Sequence, residues 1–204
     1  MSAKGTSPIR QVLVWGALAI AILVPLGAAA LSPQLAWRGP VYISAGFAGI
    51  VAMALLLVQP LLVGGYLPGL SARRERQIHR VTGGVLVAAV IFHVAALWVT
   101  SPPDVIDVLL FRSPTPFSTW GAIAMWAVFA AALLAALRRR LKLRPRSWRL
   151  AHSLLVSVAV LCSAMHALLI EGTMETVSKA GLCALTVLAT AKVIADLRIW
   201  SVRP

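Results

Sequence analysis

"IHRVTGGVLVAAVIFHVAALWV", residues 78–99, is apolar enough to dissolve in a bilayer, yet it holds His79 and His93, fourteen positions apart. A second stretch, "LAHSLLVSVAVLCSAMHALLI", residues 150–170, sets His152 and His166 at the same interval, and the chain has no other histidine. An α-helix rises about 1.5 Å and turns about 100° per residue, so fourteen positions are roughly 21 Å along the axis and within about 40° of one face. Each stretch therefore predicts a membrane-spanning helix with an imidazole near either end of the same side.

Composition agrees with a membrane setting. Of 204 residues, 60% are apolar and 12% charged, with a mean hydropathy of +0.88, outside the range of soluble domains. Lysine and arginine number 19 against 6 acids, but they fall in short clusters between uncharged runs. That pattern sets membrane topology and excludes a folded basic face for nucleic acid. Cys162 and Cys183 lie in apolar segments and read as small fillers, not as a disulfide framework. Gly64-Gly65 and Gly83-Gly84 lack the spacing of phosphate-binding loops, so no nucleotide domain is expected within this sequence.

Runs of about 20 apolar residues predict an all-α, integral membrane six-helix bundle in one domain, residues 1–204. Its helices are placed at about 12–31, 41–65, 78–99, 117–137, 150–170 and 176–197. The first has basic residues ahead of it and Ala28–Ala30 at its end, as a signal peptide would, but it is long for one and reads as a retained anchor. In the last, Lys179 and Lys192 are expected to snorkel to the headgroups. Sixteen basic residues fall on the side of the N-terminus, the second and fourth connections and the C-terminus, and three on the other side. The positive-inside rule then places both termini in the cytoplasm. "RRRLKLRPRSWR", residues 138–149, anchors this topology and is also suited to anionic groups.

On that topology the two histidine helices run in the same direction, so His79 pairs in depth with His152 and His93 with His166. Two imidazole pairs, one above the other, are what two stacked haems need, each iron taking one nitrogen from each helix. Coordination by one nitrogen, with the other bonded to a carbonyl, also explains why polar rings stand in a bilayer. Gly83, Ala89 and Cys162, one turn from the ligands, are small enough to face a flat macrocycle, although small residues also serve ordinary helix packing. The rival account makes the histidines hydrogen-bonded core groups, or steps of a haem-free transporter or proton channel. With no C-x-x-C-H motif, the haem would be non-covalent haem b.

At "IHRVTGG" followed by His93, and "SWRLAH" followed by His166, the chain resembles the ferric reductase-like transmembrane family. That family includes the haem domains of ferric reductases and NADPH oxidases and the bacterial haem subunit of a periplasmic methionine sulfoxide reductase. The resemblance implies a six-helix domain with an inner haem on His79 and His152 and an outer haem on His93 and His166. It also implies a bacterial inner membrane and electrons moving from a cytoplasmic flavin outward. Oxidase-type members continue into FAD and NAD(P)H domains, whereas this sequence ends at Pro204. The expected donor is therefore a separate FAD- or FMN-bearing reductase, or a membrane quinol. His79 departs from the sulfoxide-reductase subunits, which tend to lack a histidine there.

Under this reading the inner propionates are met by arginines from the set Arg73, Arg74, Arg76, Arg80, Arg146 and Arg149, since guanidinium pairs bidentately with carboxylate. Leu86 and Ala159, each seven residues after an inner ligand, lie between the haems. The acceptor is a ferric chelate, dioxygen or a periplasmic redox protein, docked on the third and fifth connections, residues 100–118 and 171–179. Asp104 and Asp107 there would attract cationic iron, while the neighbouring prolines stiffen a loop. Trp98, Trp120 and Trp126 read as interfacial belts, not electron relays.

Overall fold

The computed structural model describes residues 7–197. Seven α-helices account for most of them: α1 (Pro8–Ala30), α2 (Pro40–Val63), α3 (Ala72–Thr100), α4 (Pro102–Leu109), α5 (Pro116–Leu141), α6 (Pro145–Leu169) and α7 (Thr176–Asp196). All but α4 are long and apolar enough to cross a membrane, and there is no strand among the described residues. Lys4, Arg198 and Arg203, counted above for orientation, lie outside them.

Proline marks the starts. Pro8, Pro40, Pro102, Pro116 and Pro145 each occupy the first helical position, where a missing N–H removes nothing and the fixed φ favours the helix. At the head of α3, Ser71 accepts from the Arg74 amide instead. At the head of α7 the Glu175 carboxylate accepts from the amides of Val177 and Ser178 at 2.6 and 2.7 Å. Those bonds to Ser178 and Val177 hold its pKa below the usual carboxylate value. The cap is therefore complete at neutral pH and is lost only as the pH falls through the depressed value.

α2 and α3 form one antiparallel hairpin, and α5 and α6 form another. α7 packs against α2 and α6, and α1 lies outside against α7 and α2. Small residues, Ala52, Ala127, Ala159 and Ala164, interleave with Met53, Leu56, Leu57, Leu86, Val160 and Leu182 in the core, which lets helices approach closely where no water drives them together. Thr186 and Thr190 are buried by bonding the carbonyls four residues back, at 2.8 Å each. Outward, Ile20, Leu23, Leu133 and Leu188 are exposed, an apolar hull suited to lipid. Trp98, Trp120 and Trp126 also face outward.

Three sequence expectations change. The helices run further than their apolar stretches: Arg73, Arg74 and Arg76 lie in α3, Arg138–Arg140 in α5, and Arg146 and Arg149 in α6. Backbone hydrogen bonding continues past the point where hydropathy stops. The prolines of the third connection start a helix, α4, and do not stiffen a loop; Asp104 there accepts from the Ser101 hydroxyl at 2.6 Å. Lys179 does not snorkel. It is buried, and its Nζ donates to the Ile170 carbonyl at 2.8 Å, closing the end of α6. Lys192, by contrast, is exposed and pairs with Asp196 at 2.8 Å. Asp196 also accepts from the Tyr66 hydroxyl, tying the α2–α3 turn to α7 and raising the pKa of that phenol.

Because Lys179 holds a free helix carbonyl, Lys179→Met is expected to lower stability by about 1.5–3 kcal/mol, the worth of a hydrogen bond to a charged group. Thermal unfolding in detergent measures it. An unchanged midpoint would mean that the bond contributes nothing.

Candidate functional site

α3 and α6 make little direct backbone contact although their histidines face one another. At the end away from the arginines, the rings of His93 and His166 have centroids 6.5 Å apart and planes at 83°. His93 Nδ1 lies 2.7 Å from the Ala45 carbonyl on α2, and His166 Nδ1 lies 2.8 Å from the Phe117 carbonyl on α5. A carbonyl only accepts, so each Nδ1 carries the proton and each Nε2 keeps a free lone pair. Two imidazoles bound to one metal from opposite sides, with bonds of about 2 Å, hold their centroids about 6 Å apart. The 6.5 Å separation of the outer pair is compatible with that spacing.

Glycine makes this approach possible. A Cβ on Gly121 would lie 2.7 Å from His166 Nδ1 and 2.9 Å from its Cε1, and one on Gly49 would lie 3.2 Å from His93 Nδ1. Each glycine is one turn after the accepting carbonyl, Gly49 after Ala45 and Gly121 after Phe117, so helix and ring meet in a notch.

These positions expose a longer repeat. Ala45 and Phe117, Gly49 and Gly121, and Gln59 and Ala131 are each separated by 72 residues; His79 and His152, and His93 and His166, by 73. Both hairpins thus carry the same kit: an accepting carbonyl, a glycine one turn on, and two histidines fourteen apart. The repeat breaks down at the inner pair. The Nδ1 atoms of His79 and His152 are buried with no full hydrogen bond, although the backbones of Gln59 and Ala131 stand beside them.

Between His79 and His152 lies a cavity of about 440 Å³, within the roughly 300–1,000 Å³ typical of ligand and cofactor pockets. Gly83, Gly84, Leu86 and Ala159 line it. A Cβ on Gly83 would make only ordinary contacts, 3.7 Å to Gln59, so no close approach of helices requires glycine there. One wall is polar, with the Gln59 amide donating to Thr82 at 2.9 Å, and the opposite wall is Val128, Ala131 and Ala132. Of the six arginines proposed for propionates, Arg80 lines the cavity; Arg73, Arg74, Arg76, Arg146 and Arg149 are exposed at the same end.

Sequence reasoning missed Gly49 and Gly121, and also Arg138, whose guanidinium lies 4.3 Å over the Trp148 ring. The 72-residue offset was the available signal for the glycines.

No cluster of three or more His, Cys, Asp or Glu suited to a metal ion occurs among the described residues. Two imidazoles per site are too few to hold a bare ion tightly, but they complete an iron that brings four porphyrin nitrogens of its own. The paired imidazoles, the glycine notches and the cavity fit haem. The family model described as ferric reductase like transmembrane component matches residues 45–163, a span that holds Ala45, Gly49, Gly121 and three of the histidines. No curated protein and no solved structure matches the chain. With its six apolar helices and a match over more than half its length, the chain is an integral membrane protein of the ferric reductase-like transmembrane family, whose domains generally bind haem.

Proposed function

We propose that the chain is a transmembrane b-type cytochrome that carries electrons from a cytoplasmic flavin or quinol donor, through two stacked bis-histidine haems, to an acceptor on the outer face. The observation that carries this is the outer pair: two imidazoles 6.5 Å apart, each with Nδ1 bonded to a helix carbonyl. Haem held by these histidine pairs would supply a one-electron iron centre, suited to electron transfer and not to binding oxygen at the metal.

The chain's own residues do the rest. His79 and His152 hold the inner centre, and His93 and His166 the outer. The carbonyls of Ala45 and Phe117 fix the outer rings and raise their basicity. Leu86 and Ala159 keep the space between the sites apolar, and Arg80 offers charge for a carboxylate at the inner mouth. The basic end, with Arg73–Arg80 and Arg138–Arg149, is cytoplasmic by the positive-inside rule. An electron moving outward then gains about 2.3 kcal/mol per 100 mV of membrane potential. The donor is a separate flavin reductase or a quinol. The acceptor is a ferric chelate, dioxygen or a periplasmic redox protein, met on the side of α4 and the α6–α7 connection, in a bacterial inner membrane.

Proteoliposomes test the transfer. With an NAD(P)H-driven flavin reductase or a quinol on the basic side and a ferric chelate enclosed on the other, ferrous iron is expected to appear only when the chain is present. Colourless vesicles with no ferrous product would leave the haem-free transporter as the better account.

A further inference from the structure

The histidines differ in what surrounds the ring. His93 and His166 are oriented by carbonyl bonds, while His152 has no full hydrogen bond at Nδ1 but lies flat against Trp148. The two rings are 5.2 Å apart between centroids and 10° from parallel. Trp148 is itself fixed from α5: its Nε1–H donates to the Leu134 carbonyl at 3.4 Å, and the Arg138 guanidinium lies over its ring at 4.3 Å. The indole thus contacts both a guanidinium and an imidazole. The repeat shows that this is no general feature of the hairpins. The residue one turn before His79 is Glu75, so the partner histidine of the inner pair has no such stack.

We infer that Trp148, held from α5 by the Leu134 carbonyl and Arg138, is the positioning residue of the inner site, fixing the His152 ring by stacking where the outer histidines are fixed by carbonyls. This rests on the haem reading of the four histidines. The chemistry gives the stack two effects. An offset stack of two flat rings holds the imidazole plane, and so the direction of Nε2, against rotation. A permanent cation over the indole, attracted by its ring electrons, lowers the energy of the reduced, less positive state of a metal held by His152. The stack thus favours electron uptake at the inner centre, at the end where the donor is expected.

The full chain, purified with haem, tests this by haem content and by redox titration of each centre. Trp148→Leu is expected to weaken inner haem binding about 10–100-fold, the range found when the partner of a metal-bound histidine is lost. Trp148→Phe keeps a flat ring and should keep both haems. Arg138→Gln should retain both haems and lower the inner midpoint potential alone. Arg140→Gln, which removes an equal charge from the same helix end, should leave the inner potential nearer its starting value. The inference is overturned if Trp148→Leu binds inner haem as tightly as the wild type. If Trp148→Leu fails to fold, it is overturned when Arg138→Gln and Arg140→Gln shift the inner potential equally or not at all. Wild-type protein without haem would instead sink the haem reading itself.

Discussion

Gly121→Ala is expected to empty the outer haem site while leaving all four histidines in the chain. The new methyl would lie 2.7 Å from His166 Nδ1 and 2.9 Å from Cε1, closer than real carbon contacts come, so the ring must swing away from α5. That movement breaks the 2.8 Å bond to Phe117 and turns the ring away from its present place opposite His93. Losing the partner of a metal-bound histidine weakens the metal site about 10–100-fold, and overpacking a tight contact adds about 1–3 kcal/mol of destabilisation. Gly49→Ala is the milder case, since its methyl would sit 3.2 Å from His93 and a shift of a few tenths of an ångström relieves it. Haem per chain, measured after extraction as the pyridine complex, should fall for Gly121→Ala much more than for Gly49→Ala. Full haem in Gly121→Ala would show that the notch does not seat the ligand.

The contrast between those glycines and the histidines marks how far the chain is legible before it folds. Fourteen-residue spacing in two apolar runs is a matter of helix geometry alone, so the histidine pairs and the all-helical bundle were legible. Gly121 was not, because a glycine in an apolar helix serves many kinds of packing and only the approach of His166 gives it a purpose. Lys179 was misjudged for a similar reason: hydropathy places a lysine near a helix end but does not say whether its stem turns to the headgroups or inward to the Ile170 carbonyl. The prolines after Ser101 are compatible with either a loop or a first helical turn, and the chain from Pro102 to Leu109 takes the helix. Among the arginines, spacing named a neighbourhood; it could not tell that Arg80 lines the cavity while Arg138 stacks on Trp148. Long side chains choose their contacts after the helices have packed.

The histidines themselves support the other large prediction. His79→Ala and His152→Ala should each remove the inner haem and spare the outer, and His93→Ala and His166→Ala should do the reverse, each variant keeping roughly half the haem. Within one pair the second substitution should add little, because the first has already emptied that site, whereas one substitution from each pair should leave almost none. The haem-free transporter account expects a different pattern, in which no variant changes any spectrum and His79→Ala alters flux. Reduced-minus-oxidised spectra of the single and double variants separate the two.

Both predictions depend on α3 and α6 gripping two iron porphyrins between their four imidazoles. The most direct measurement is the amount of haem iron per chain in wild-type protein purified in detergent, taken with its anaerobic visible spectrum. The expected result is two haems per chain, both six-coordinate and low-spin with a sharp reduced band. Protein that is folded but free of iron would contradict the account.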